Sequence, residues 1–138
     1  REFLNKLHLD ENEIAIVDME AGIEHFGRGL DAGIDSVVLV VEPSYESLSL
    51  SEKIKDLAAE MQKNLWAILN KINSDNLASK LKMELEKREI ETIGVISYDP
   101  RIFTAGLKGH PIRHGKSIRK AGKILDLLLS KTENENKE

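Results

Sequence analysis

Residues 16 to 29 read IVDMEAGIEHFGRG. The apolar run Ile14 to Val17 is rich in β-branched residues and too short for a helix, so it reads as a buried strand. Asp18 then falls at the strand's carboxyl end, and a loop carrying Glu20, Gly22, Glu24 and His25 follows. In open parallel sheets ligands bind outside the carboxyl ends of the strands, which makes Asp18 a candidate to hold magnesium bound to triphosphate. Mg²⁺ takes oxygen ligands and keeps several waters, so one carboxylate beside the phosphates suffices. Gly22 allows the backbone to come close to a terminal phosphate, and Ile23 to Leu30 can form a mobile helix that responds to it. Taken alone, the stretch reads more readily as a solvated surface loop in which Asp18, Glu20 and Glu24 face water and Gly22 only makes a turn.

Outward from this stretch, strands and helices alternate. Val37 to Val41, Leu65 to Leu69 and Ile93 to Ile96 are further short apolar runs of strand character. Between them Leu50, Ile54, Leu57, Ala58 and Met61 share one helical face, as do Leu77, Leu81 and Leu85. Ser49 and Glu52 have capping-box spacing, and Asp99 before Pro100 supplies an N-cap and a first-turn proline for a short helix ending near Gly106. A last helix is expected over about residues 117 to 130, with Ile118, Ala121, Leu125 and Leu128 on one stripe. Parallel strands need long crossover connections, so the pattern predicts an α/β fold with a parallel sheet and helices on both faces. Residues 1–9 read as the end of a helix, and the polar residues 131–138 as a disordered tail.

The 138 residues amount to about one domain, small for a complete doubly wound enzyme. With 41% hydrophobic and 32% charged residues the composition is that of a globular protein, and a net charge of -4 gives no general attraction to nucleic acid. The absence of cysteine excludes disulfides and thiolate metal sites within this chain. No apolar run approaches the roughly 20 residues of a membrane helix, and no signal peptide is visible, so the expected location is the cytoplasm. The first methionine is Met19, inside the acidic loop, so Arg1 does not read as a natural translation start.

Four segments together, VDMEAGIEHFGRG, VVEPSYESL, LNKI and ISYDPRIFTAGLKGHPI, resemble the deviant P-loop ATPases of the Min/Par type. They look most like the CooC-type accessory ATPases that help insert nickel into carbon monoxide dehydrogenase. The resemblance runs in order to about Ser130 and implies the C-terminal portion of a parallel-sheet P-loop NTPase fold. It implies that Asp18 is the Walker B aspartate, and that Glu20, Gly22, Glu24 and His25 belong to a switch that senses the terminal phosphate and couples it to dimerisation. Asn70 and Lys71 fall where the superfamily reads the base. Guanine specificity wants an aspartate at the last position of N-K-x-D, but Asn73 stands there and its amide cannot accept twice from guanine, so adenine is favoured. Tyr98 and Asp99 are implied to close over the adenine, although a helix cap is the commoner role for a residue placed as Asp99 is. The phosphate loop, the first switch and the cysteine pair of the CooC type find no counterpart in these residues, so hydrolysis by this chain alone is not expected.

Other signals are weaker. GHPIRHGKS, residues 109 to 117, has five residues between Gly109 and Gly115 where a phosphate loop has four, and Pro111 removes an amide from the cradle. His110 and His114 have metal-ligand spacing for a helix, but Pro111 interrupts one. The basic residues Lys116, Arg119, Lys120 and Lys123 permit membrane-surface binding, yet packing on the sheet explains the leucine stripe better. Trp66 reads as core.

The leading expectation is therefore the C-terminal part of an ATP- and Mg²⁺-binding, nickel-insertion accessory ATPase, inactive alone. Its partners would be a missing N-terminal half or second protomer, and a nickel enzyme such as carbon monoxide dehydrogenase; nucleic acid is not among them, and the nickel site lies elsewhere. The alternatives are a catalytically dead dimerisation or partner-binding module and, more distantly, a Min/Par-type partitioning ATPase fragment.

Overall fold

A computed structural model describes residues 8–10, 13–19 and 34–135. Its core is a three-stranded parallel sheet of β1 (Ser36–Val41), β2 (Asn64–Ile72) and β3 (Glu91–Ser97), in that order. Helix α1 (Tyr45–Glu60) joins β1 to β2 and α2 (Asp75–Glu86) joins β2 to β3. The short α3 (Pro100–Leu107) and the long α4 (Lys116–Glu135) follow. The chain is α/β, with the alternation its periodicity predicts.

The two faces of the sheet are covered unequally. Val37, Leu39, Val41, Leu65, Ala67 and Leu69 lie beneath α1 and α2, packed against Ile54, Ala58, Leu81 and Leu85. Leu69 and Leu85 are fully buried, each stabilising the fold by roughly 1.5–3 kcal/mol relative to exposure. On the opposite face Trp66, Ile93 and Ile124 form a smaller core with Ile68, Ile96 and Leu128 at its margin, which places α4 over β3 and part of β2.

A surplus residue in β3 makes this second core possible. Ala67 pairs with Thr92, whereas the next residue, Ile68, pairs with Gly94, so Ile93 is the bulged residue. The bulge turns both Ile93 and Gly94 toward α4. At Gly94 a β-carbon would stand 2.3 Å from Ile124 Cδ1 and 2.5 Å from its Cγ1, so only glycine lets Ile124 reach the sheet.

Several expectations are corrected. Ile14 to Val17 is not a strand: the segment is irregular, and Ile14, Ile16 and Val17 are 52%, 81% and 45% exposed. A strand exists only where its backbone groups are paired, and none of the described strands pairs with this run. The cap of α1 is Ser44, not Ser49. Ser44 Oγ accepts the Ser47 N–H at 3.1 Å, and Ser47 Oγ accepts the Glu42 N–H, which starts the helix directly after Pro43. Ser49 and Glu52 lie inside α1, and Glu52 instead meets Arg88 Nε at 3.0 Å.

The α4 stripe is also displaced. Ile124 is its buried residue, while Ile118 is 37% exposed and Ala121 is exposed, because the helix is seated at Gly94 and its first two turns extend past the sheet. Nor does α4 stop near Ser130. It continues to Glu135, held by Lys131 pairing with Glu91 at 2.8 Å and Thr132 Oγ1 donating to Leu128 O, so residues 131–135 are helix rather than tail.

Candidate functional site

All three strands run in one direction, so the segments after β1, β2 and β3 emerge at one rim of the sheet. Glu42 follows β1 and Tyr98 and Asp99 follow β3, whereas Asn70 and Lys71, expected just after a strand, lie within the last residues of β2, which runs on to Ile72. Two contacts tie them together. Tyr98 N–H donates to Ile72 O at 2.9 Å, joining the β3 and β2 exits, and Lys71 Nζ meets Glu42 Oε1 at 2.6 Å, joining the β2 and β1 exits. The ion pair is half-exposed and contributes about 1 kcal/mol at most, so its effect is on loop position more than stability.

Lys71 reaches across because the backbone turns sharply there. Leu69 pairs with Val95 but Ile72 with Ser97, leaving one extra residue in β2, and Lys71 adopts φ of 57°, the left-handed region glycine prefers at such bulges. Asn70 precedes the bulge and is partly exposed, Asn73 is exposed, and Tyr98 is 49% exposed at the neighbouring strand end.

Asp99 caps α3, accepting the Arg101 N–H at 3.0 Å. Its carboxylate also takes a two-pronged bond from the Arg101 guanidinium, Nε to Oδ1 at 3.0 Å and Nη2 to Oδ2 at 2.8 Å. The side-chain bond to Arg101, then the backbone bond, hold the Asp99 carboxyl below the usual carboxylate range. Asp99 is thereby an anion with most of its acceptor capacity used locally, which suits a positioning role better than direct contact with a ligand. Arg101 escapes sequence reasoning, though an arginine two residues after an N-cap aspartate was the available signal.

Beside Asp99 and Arg101 lies an open cleft of about 250 Å³ bounded by α3, the connection to α4 and the first turn of α4. Pro111, Arg113, His114, Gly115 and Ser117 line it, so much of the GHPIRHGKS stretch borders the rim without forming a phosphate loop. His110 faces a separate cleft with Pro100 and Lys108. Residues 108–115 are not helical, so the four-residue spacing of His110 and His114 loses its metal-site meaning.

Asp18 is exposed and does not terminate a strand. Glu20, Gly22, Glu24 and His25 lie outside the described residues, as do residues 1–7 and the helix expected over Ile23 to Leu30. Among the described residues no group of three or more His, Asp or Glu side chains is gathered to hold a metal ion. No helix among them is long and apolar enough to cross a membrane.

No protein-family model matches the chain. An uncharacterized ATP-binding protein of Methanocaldococcus jannaschii is 39% identical over 112 residues, 81% of this chain and 44% of its own length. A second uncharacterized ATP-binding protein of that organism is 33% identical over 131 residues, 94% of this chain and 51% of its own. Over these residues the chain is similar to two proteins described as ATP-binding. It is also 40% identical over 110 residues to the carbon monoxide dehydrogenase accessory protein CooC of Rhodospirillum rubrum, covering 79% of this chain and 41% of CooC. The chain spans about half the length of the curated proteins it matches.

Proposed function

We propose that this chain supplies the base-reading rim and the magnesium-side switch of an ATP-dependent accessory ATPase of the CooC type. The observation that carries the reading is the placement of Asn70 and Lys71 at the carboxyl end of β2 beside Tyr98 and Asp99 just after β3, the two joined by the Tyr98–Ile72 hydrogen bond, in a chain similar to ATP-binding proteins. In this reading the Asn70 amide reads adenine, Lys71 fixes the loop by its bond to Glu42, and Tyr98 with the capped Asp99 segment closes over the base.

Asp18 would hold the magnesium shell. An exposed single carboxylate fits that ion, which takes most of its ligands from water and phosphate, and the ion when bound would neutralise charge on the phosphates. Glu20 and Gly22 would border the terminal phosphate, and Glu24 and His25 would couple the switch to a partner. The remaining half of the fold, or a second protomer, would bring the phosphate-binding and water-orienting groups. Nickel would be cargo delivered to an enzyme such as carbon monoxide dehydrogenase, bound outside this chain.

Calorimetric titration of MgATP and MgGTP tests the division of labour. This chain alone should bind neither tightly, and a mixture with the unmatched part of the 39%-identical relative should bind ATP in preference to GTP. Micromolar ATP affinity of the chain alone contradicts the proposal. Equal affinity for the two nucleotides in the mixture removes Asn70 from its role and favours a binding module that has lost nucleotide chemistry.

A further inference from the structure

Two charged side chains stand at the candidate base rim, Lys71 near the end of β2 and Asp99 just after β3, and each is closed on a partner within the protein. The fold sets the direction of the first closure. β2 lies between β1 and β3, so in meeting Glu42 after β1 the Lys71 ammonium reaches away from Tyr98 and Asp99. Glu42 is itself held from both sides. Its N–H donates to Ser47 Oγ at 3.1 Å and its carbonyl accepts the Ser44 N–H at 2.7 Å, which ties it to the first turn of α1. At Lys71 the left-handed backbone of the bulge fixes the direction in which the side chain leaves the strand. The second closure is local: the Arg101 guanidinium engages both oxygens of Asp99, whose Oδ1 also accepts the Arg101 N–H.

Both charges, if released, would favour guanine. Along one edge guanine offers two acceptors, N7 and O6, to an ammonium; adenine offers N7 beside its N6 amino donor, and an ammonium cannot accept from that donor. On its other edge guanine presents two adjacent donors, which suit a carboxylate, an acceptor on both oxygens. An amide both donates and accepts, so the side chain of Asn70 matches the mixed edge of adenine. The rim thus turns inward the two groups that would recognise the wrong base and leaves a neutral amide beside them. Discrimination of this kind comes from what is withheld as well as from what is offered.

Resting on the reading of this rim as a base site, we propose that Glu42 and Arg101 set its preference for adenine without touching the base. They are positioning residues: Glu42 acts through Lys71 and Arg101 through Asp99. Neither role follows from the N-K-x-N spacing around Asn70, because both partners come from other segments of the chain, Glu42 from the start of the β1 to α1 connection and Arg101 from the first turn of α3.

The test is a nuclear magnetic resonance titration of the full chain with AMP and GMP at millimolar concentration, read at the amides of Asn70, Lys71, Tyr98 and Asp99. The parent should respond to AMP at lower concentration than to GMP. Glu42→Gln and Arg101→Gln both leave the caps at Ser44 and Asp99 in place, and each should reduce that preference by about fivefold, the scale on which an exposed ion pair holds its partners. The double variants Glu42→Gln with Lys71→Met, and Arg101→Gln with Asp99→Asn, remove the charge that the first substitution releases and should recover the preference. Loosening of the loops alone would not be reversed by a second substitution. A preference that survives Glu42→Gln or Arg101→Gln, or a double variant that stays indifferent, overturns the inference and leaves the base site standing. A parent that responds equally to the two mononucleotides, or to neither, removes the adenine-reading site and this inference with it.

Discussion

The two end strands of the sheet teach different lessons. β3 is finished: a bulge breaks its regularity, Gly94 admits Ile124, and Lys131 of α4 is anchored to Glu91. β1 is equally apolar, but Val38 and Val40 on one face are 37% and 53% exposed, and among the described residues no strand pairs with its outer edge. Both come from sequence runs of the same character, so the difference lies in what is available to pack on them. Burial is a property of a pair of surfaces, and apolar periodicity reports only one of the two.

The comparison is broken or sharpened most strongly at the two cores. Ile124→Ala on the finished side should cost about 2–5 kcal/mol in chemical denaturation, because the cavity over Gly94 has little to collapse into it. Val40→Ala on the bare side should stay within about 0.5 kcal/mol, as surface changes do. Comparable losses would mean that β1 is as covered as β3. Gly94→Ala should cost about 1–3 kcal/mol through the clash with Ile124. In a double-mutant cycle with Ile124→Ala that loss should largely vanish, whereas strict additivity would show that α4 is seated elsewhere.

Smaller effects test the rims that these strands lead to. Asp99→Ala removes the α3 cap and the guanidinium partner, and its destabilisation should depend on pH. The folded-state pKa of Asp99 is lowered by Arg101, so the contribution is present above the unfolded value of about 3.9 and is lost as pH falls through the folded value. Parent and variant should therefore converge in acid; a gap that persists at low pH assigns the effect to packing. Least of all, Gln62→Gly should stabilise the chain by up to about 1 kcal/mol. Gln62 ends α1 with φ of 55°, donating to Ala59 O while Lys63 donates to Ala58 O, a left-handed cap that favours glycine.

Much of this architecture was legible in the residues. The strands around Val37, Leu65 and Ile93 were found because each is a short apolar run set off by segments of helical periodicity, and Asp99–Pro100 declared its own cap. Asn70, Lys71, Tyr98 and Asp99 were singled out as residues that follow strands; Tyr98 and Asp99 do follow β3, but β2 continues through Asn70 and Lys71 to Ile72, and the parallel topology puts all four toward one rim. Ile14 to Val17 misled because an apolar run states what wants to be buried and not whether a partner is present. The bulge at Ile93, the seating of α4 and the Glu42–Lys71 bond depend on contacts between distant segments, which local spacing does not encode. The cap at Ser44 was concealed by a second serine at Ser49 with equally good spacing.

The surplus residue at Ile93 also bears on how this chain tolerates length changes. Because side chains alternate along a strand, removing that residue would swing either the start or the end of β3 through half a turn relative to β2. Val95 and Ile96 would exchange their surroundings, and the segment leading to Tyr98 would leave the sheet facing the wrong way. A homologue shortened by one here would need a compensating insertion before the rim, so comparison of gap positions across β3 offers a way to trace which lineages keep the same exit geometry.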